Sequence, residues 1–344
     1  MKELRMKLYA GIDLHSNNSV VCLIDEAGKE VRCRRLKNDL IELLGFLHPY
    51  NEELQGIVVE STYNWYWLVD GLMDHGYCVS LANPARMQQY SGLKYSDDAS
   101  DANWLAQLLR LNILPQGYIY PKETRGMRDL MRKRLQLVQD KTMHILSIQG
   151  IYARQLNRRL SSNVVKQLSE EQIRADFKAE EIILAILSNV EVMNCLEKQI
   201  TLIEKTLQQQ LKLKDEFKQL TNIDGIGLIL ALTIMLEAGD MSRFAQVGDF
   251  SSYCRCIGGA RFSNGKKKGT TNSKNGNKYL GWAFTEAANF AIRYNAQIKK
   301  YYQRKSAQTN SIIAIKTIAH KLCRGCFYVL KNNIGFDVTR AFGT

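Results

Sequence analysis

"YAGIDLHSNNSVVCLID", residues 9–25, decides how the first part of this chain is read. An apolar run, a polar break and a second apolar run make a β-hairpin, and one carboxylate, Asp13, ends its first strand. An acid at the end of a strand that reads as buried either caps a turn or points into a site shared with other acids. Working outward, "KEVRCRRLK" is a third strand after the turn residues Glu26-Ala27-Gly28, and "DLIELLGFLHPY" is an amphipathic helix with Asp39 as N-cap. "GIVVES" is a short β-branched run suited to a central buried strand. "YNWYWLVDGLMDHG" is helical and closes on Gly76, and "CVSLANP" is a further strand ending before Pro84. "SDDASDANWLAQLLRLN" begins a helix with Ser/Asp caps and an apolar stripe through Leu105, Leu108 and Leu109.

Three antiparallel strands, a helix, a parallel strand, a helix and another strand is the order of an RNase H-like sheet, a comparison of topologies. From about Glu123 to Leu220 Gly and Pro almost vanish. "RDLMRKRLQLVQDKTMHILSIQGIYARQL" has helical periodicity with basic positions read as exposed. In the following helix Val192, Cys195 or Leu196, Ile200, Ile203, Leu207 and Leu211 recur as a coiled-coil-like seam. This segment is either a hairpin bridging two domains or an arm that dimerises or clamps nucleic acid. The expected architecture is an α/β RNase H-like domain over residues 1–122, a helical coiled-coil-like arm over 123–220 and a mainly α region over 221–344.

A chain of 344 residues with 45% hydrophobic and 24% charged residues is ordinary for a globular protein, but a formal charge of +13 is not. The surplus is local: Arg255 to Lys305 holds twelve Lys/Arg and a single acid, Glu286. Nucleic acid is the leading partner. No apolar run approaches the roughly 18–20 residues that span a bilayer, and "MKELRMKLYAGID" lacks the apolar stretch of a secretory signal. The expectation is a cytoplasmic protein with no membrane partner. Eight scattered cysteines read as reduced thiols; "CRC" (Cys254, Cys256) and "CRGC" (Cys323, Cys326) could in principle hold zinc, but Cys-x-Cys is a poor knuckle spacing and no histidine but His320 lies suitably near, so free thiols are expected.

Asp13 has candidates for company. Glu60 ends the central strand, and Asp98 and Asp101, at i and i+3, project from one helix face. Four carboxylates gathered at strand ends repel unless a cation neutralises them, and oxygen ligands favour Mg²⁺ or Mn²⁺. Two such ions about 4 Å apart can hold a scissile phosphate. Singly, each acid could cap a turn or helix or pair with a surface arginine. Asp97 blurs the register, because Asp97 and Asp101 would also share a face.

"LTNIDGIGLILALTIMLEAGDMSRF" has the form helix, Gly-Ile-Gly turn, helix. Gly225 and Gly227 would let backbone N–H groups approach a phosphate, or else serve a tight packed turn. "CIGGARFSNGKKKGTTNSKNGNKYLGWAFTEAA" reads as a small-residue loop opening into an amphipathic helix. Lys266, Lys267, Lys268, Lys274 and Lys278 fit a loop that handles a nucleic-acid backbone. A serine there, flanked by cations, could attack phosphorus once activated.

"GIDLHS", "VVEST", "DDASDANWLA", "IDGIG…EAGDMSRF" and "FSNGKKKG…SKNGNKYL", in that order, resemble the DEDD insertion-sequence transposases of the "IS one-ten" group and their relatives, the Piv-type DNA invertases. The resemblance runs almost end to end. It implies a RuvC-like N-terminal domain, a helical arm and a C-terminal transposase domain with a catalytic serine. It also implies recombination of donor and target DNA directed by a bridge RNA, a tetramer of two dimers, and action at the bacterial nucleoid. The family's acidic set falls on Asp13, Glu60, Asp98 and Asp101, and its Ser-Gly-Gly-Lys-like segment on Ser263-Asn264-Gly265-Lys266. Asn264 replaces a usual Gly, Asp97 a usual Thr, and Gly258-Gly259-Ala260-Arg261 stands where a Pro is usual, which leaves Ser273 a rival nucleophile.

The mechanism expected from these residues is attack by the Ser263 hydroxyl on a phosphate positioned by the four acids and their metal, followed by strand exchange through the protein–DNA ester. An RNase H-fold nuclease or junction resolvase would need the same acids but no serine. A non-catalytic nucleic-acid binder would use the acids structurally, and an invertase would differ from a transposase mainly in the DNA flanking its gene.

Overall fold

The computed structural model describes residues 6–87, 97–211, 215–270 and 275–343. The chain divides into two compact units, Met1–Lys122 and Glu123–Thr344.

In the first unit, β1 (Leu8–Leu14) and β2 (Asn18–Asp25) form the expected hairpin, and β3 (Glu30–Lys37) pairs antiparallel with β2. β4 (Leu54–Glu60) runs parallel to β1, and β5 (Val79–Ala82) parallel to β4, giving the order β3-β2-β1-β4-β5. β1 is therefore central and buried on both faces, which is why its sequence is nearly all apolar. β3 is an edge, and its charged residues Glu30, Arg32 and Arg34 discourage pairing with another chain.

The helices of this unit are α1 (Leu40–Leu47), α2 (Tyr66–Asp74), α3 (Pro84–Met87) and α4 (Asp98–Arg110). Asp39 caps α1 as expected, its carboxylate accepting the Glu42 N–H. Asp97 caps α4 in the same way from Ser100, in an extended conformation outside the helix, which settles the register of the acids that follow. Ile12, Leu14, Val21 and Leu23 pack with Leu43, Leu68 and Leu72 on one side of the sheet, and Trp65 is buried among them. Val20, Cys22 and Val58 meet Ala102 and Leu105 of α4 on the other.

The second unit begins on α5 (Lys122–Leu156), turns through α6 (Ser162–Val165) and α7 (Glu170–Asp176), and returns on α8 (Glu180–Leu211). Arg134 pairs with Glu204, Lys141 with Glu197 and His144 with Asn189, so contacts climb one helix as they descend the other, the mark of an antiparallel pair. The buried seam of α8 runs through Val190, Met193, Ile200 and Leu207. Among the expected seam positions Val192 is exposed, and of the alternatives Cys195 and Leu196 the first is exposed and the second partly buried, because the heptad phase is set by Met193. The basic face also needs correction. Arg125 and Arg128 are buried, and Arg132 and Arg134 are held by carboxylates inside the fold, so part of that charge is structural.

The remainder is α9 (Asp215–Thr221), α10 (Leu228–Ala238), α11 (Val247–Tyr253), a hairpin of β6 (Ala260–Ser263) and β7 (Lys266–Thr270), then α12 (Lys278–Tyr294), α13 (Ala296–Gln308), α14 (Ser311–Asn332) and α15 (Val338–Phe342). One apolar core joins Met131 and Leu207 to Leu230, Phe250, Phe284, Leu322 and Phe327. Cys254, Cys323 and Cys326 lie in it with Cys256 packed against it, and all eight cysteines are free thiols. Among the described residues no helix is long and apolar enough to cross a membrane.

One charged group sits in that core. Glu237 of α10 is 1% exposed. It accepts from Arg128 at 3.1 Å, from Arg132 at 2.5 and 2.9 Å, and from the Asn277 amide at 2.7 Å. Asn277 also caps α12, accepting from the N–H groups of Tyr279 and Leu280. Burial by itself pushes the Glu237 carboxyl up, but the Arg132 hydrogen bonds and the two guanidinium charges hold it below the ordinary value of 4.5. Glu237→Ala is expected to destabilise the second unit by about 3–5 kcal/mol, since two guanidinium groups lose their buried partner. Chemical denaturation measures this. Because the folded pKa is depressed, the Glu237 contribution is present above pH 4.5 and is lost as pH falls through the folded value, so Glu237→Gln is expected to flatten the acid limb of the stability profile.

Candidate active site

Strand alternation places Gly11 and Asp13 on the side of β1 that faces α4. A Cβ on Gly11 would lie 1.9 Å from the Ala102 carbonyl oxygen and 2.7 Å from the Ala106 nitrogen. Only glycine lets helix backbone come this close to strand backbone. That approach brings the first turn of α4, with Asp98 and Asp101, toward the end of β1. Asp13 is only 3% exposed. In the adjoining parallel strand Ile12 pairs with Val59, which sets Asp13 beside Glu60, the last residue of β4.

His15 lies just past the end of β1. Its Nε2 is 3.2 Å from Asp13 Oδ2 and 3.4 Å from Asp98 Oδ2. Its carbonyl accepts from the side-chain amides of Asn38 and Asn64, both at 3.0 Å, so two loops hold the turn in place. Asp98 also accepts from Arg35 Nη2 at 2.5 Å, and this bond, then the charges of His15 and Arg35, hold its carboxyl below the usual carboxylate range against some desolvation. Arg35 donates as well to the Asn18 side chain at 2.9 Å.

The donor atoms of Asp13, His15 and Asp98 lie within 4.8 Å of one another. Glu60 and Asp101, both partly buried, stand next to this group by register and by helical phase but are not members of it. The structure therefore brings together two of the four expected acids directly. A carboxylate pair with an imidazole fits a divalent cation of the Mg²⁺ or Mn²⁺ kind, the nitrogen donor suiting Mn²⁺ better. Arg35 supplies positive charge where the acids converge, part of the charge such an ion would bring.

In the second unit the stretch read as an open loop is, over residues 260–270, a tight hairpin. Ser263 pairs with Lys266 across a two-residue turn, with Asn264 at φ 50° and Gly265 at φ 69°. Two positive φ values are what a type I′ turn demands, and Asn-Gly meets it. Asn264 is thus compatible with a position where the resembling family has Gly. Ser263, Lys266 and Lys268 are exposed, Lys267 lies in β7, and Lys278 opens α12. Ser273 and Lys274 lie outside the described residues.

The Gly-Ile-Gly turn divides its labour. Gly225, at φ 92°, abuts α12, where a Cβ would meet the Ala287 oxygen at 2.3 Å. Its glycine is a packing requirement. Gly227 faces open space and is the N-cap of α10 with no side-chain cap, which leaves a helix N-terminus suited to an anion.

A transposase family model for DEDD enzymes of the IS110 type matches residues 10–152, and a second, described as "Transposase IS116/IS110/IS902 family", matches residues 218–303. The chain belongs to the IS110 family of transposases. The first match contains Asp13, His15, Glu60, Asp98 and Asp101; the second contains Gly225, Gly227, Ser263 and Lys278. No curated protein gives a significant match. The chain is accordingly a DNA-transposing enzyme with DNA as substrate, from a family generally dependent on divalent metal.

Sequence reading missed His15 and Arg35. The signal for His15 was present, since it lies two residues beyond Asp13 and so shares its face of the strand. Arg35 needed the register Val20–Arg35, which only strand pairing reveals. Gly11→Ala is expected to push α4 away from β1, costing roughly 1–3 kcal/mol through overpacking. The same change is expected to weaken Mn²⁺ binding by this IS110 transposase, measured by calorimetric titration beside a thermal melt.

Proposed function

We propose that this transposase exchanges DNA strands through a serine–DNA intermediate, with Ser263 as nucleophile and Asp13, Glu60, Asp98 and Asp101 as the metal-holding acids. The observation that carries the reading is the convergence of Asp13 and Asp98 at the end of a central strand, with Glu60 on the strand beside it. The sheet order β3-β2-β1-β4-β5, three antiparallel strands followed by two parallel ones, supports an RNase H-like, RuvC-like first domain over residues 1–122. We take residues 123–220 as the helical arm and 221–344 as the transposase domain.

A bound Mg²⁺ or Mn²⁺ would supply Lewis-acid polarisation of the phosphate oxygens. The chain's own residues do the rest. Arg35 orients Asp98 and holds its carboxyl below the usual carboxylate range, and His15 stands between Asp13 and Asp98. The Ser263 hydroxyl attacks phosphorus: the Oγ–P bond forms, the P–O3′ bond breaks, and the serine proton goes to the departing 3′ oxygen. A partner strand's 3′-OH then attacks the same phosphorus, regenerating the serine. Each ester broken is replaced by one formed, so no nucleotide cofactor is needed. Lys266 and Lys268, exposed beside Ser263, offset the negative charge that develops. Ser273 stays as the rival nucleophile. A bridge RNA directing donor and target choice, and a tetramer of two dimers, follow from the family reading. So does action in the bacterial cytoplasm at the nucleoid. The seam of α8 is covered within its own chain, so pairing between chains would use other surfaces.

His15 beside two acids also suits a hydrolytic nuclease of the same fold, in which no covalent link would form. The two readings separate on one gel. With guide RNA and a nicked suicide substrate, the wild type is expected to give a protein–DNA adduct that survives denaturation. Ser263→Ala is expected to give none and to lose at least about 10³-fold in strand exchange. Exchange at the normal rate in Ser263→Ala would overturn the serine assignment and turn attention to Ser273.

A further inference from the structure

A cavity of about 490 Å³ lies within the second unit between α5 and α12. Its walls follow from helical phase. Lys278 and Trp282 are four residues apart on α12 and Tyr279 and Trp282 three apart, so all three face one way. Arg132 and Gln139 are seven apart on α5 and line the opposite side with Lys133. The cavity is in the size range of roughly 300–1,000 Å³ typical of small-ligand sites.

Its parts are prearranged. Arg132 is fixed by two hydrogen bonds to the buried Glu237 and stacks over the Tyr279 ring at 4.5 Å, so both are locked. Lys278 Nζ lies 5.1 Å from the same ring centre. Trp282 differs. It is half-buried in the cavity wall, and among the described residues it has no aromatic or cationic partner. Lys133 and Lys278 are exposed, against one lining carboxylate, Asp129. An indole packed against the core and lining the cavity with no ring or cation against it, beside two lysines and an amide, is the donor set for a nucleobase with its phosphate: stacking on the ring, charge on the lysines, edge contact from Gln139. Duplex bases, already stacked on each other, cannot enter.

We propose that the cavity between α5 and α12 binds one unstacked nucleotide of a single-stranded nucleic acid, its base on Trp282 and its phosphate between Lys133 and Lys278. This deepens the reading of the chain as a nucleic-acid recombinase and rests on it. The shared chemistry admits two sources, single-stranded RNA or single-stranded DNA.

The test uses the full chain and fluorescein-labelled 12-mers of one sequence as single-stranded RNA, single-stranded DNA and duplex DNA, by anisotropy at one salt concentration. Trp282→Ala is expected to weaken single-strand binding about 5- to 150-fold while duplex binding changes less than about twofold. Trp282→Phe, which keeps a stacking ring, is expected to retain most of the affinity. Lys133→Glu, at an exposed position, is expected to weaken single strands without lowering the melting temperature. The arm that responds, RNA or DNA, names the source. Should Trp282→Ala lower the melting temperature, Trp282→Phe and Lys133→Glu decide. Trp65, Trp67 and Trp104 all lie in the first unit, so single-strand quenching of tryptophan emission is expected to be present in the wild type and lost in Trp282→Phe. Unchanged single-strand affinity in Trp282→Ala, or an equal loss on duplex, overturns the proposal. Neither outcome bears on the Ser263 adduct, whose loss would be read separately.

Discussion

A carboxylate buried in an apolar core must be paired and fully hydrogen-bonded, or it unfolds its surroundings. Glu237 meets that demand by drawing Arg128 and Arg132 from α5 and Asn277 from the start of α12 onto α10. Three helices far apart in sequence are thereby set in one arrangement, and Asn277 completes the link by capping the helix that follows the Ser263 hairpin. Guanidinium groups that would be surface charge on an isolated helix become structural members. Removing any one partner leaves the others desolvated, so the network also acts as a check on correct packing.

In the first unit the corresponding constraint is an absence of side chain. Gly11 lets α4 lie against the central strand, and the acids at the head of α4 reach the strand's end only because of that approach. Part of the cost of gathering carboxylates is met locally by Arg35, whose guanidinium pairs with Asp98. A strand-end cluster backed by a close-packed helix keeps Asp13 and Asp98 together instead of letting them repel each other into solvent.

Much of this was legible. The strands of the first unit, their order along the chain and both Asp caps could be read because local periodicity and cap chemistry act within a few residues, as at Asp39 and Asp97. The acids Asp13 and Asp98 could be nominated because each sits where a strand or helix ends. Less legible was anything set by which faces meet. The basic residues of α5 looked exposed, since nothing near them in sequence announces Glu237, over a hundred positions away. The seam of α8 was read with Val192 and either Cys195 or Leu196 inside, because a phase drawn from one helix cannot sense the partner that selects Met193. The Ser263 stretch looked like a flexible loop because its strands are short and rich in lysine, yet Asn264-Gly265 is a turn signal that could have been heeded.

What the sequence determined by itself, then, was the periodic part: the alternation that makes β1 and β2, the helical periodicity of the long helices, the capping residues and the order of family motifs. These depend on interactions between residues close along the chain, whose free energy is already expressed in the local pattern. Tertiary structure alone decided that Gly225 packs against α12, that Arg35 answers Asp98, and that Arg132 and Tyr279 wall a cavity beside Trp282. Each of those depends on a partner many residues distant. The physical reason is that a side chain's burial and charge are priced by its neighbours in space, which no local pattern records.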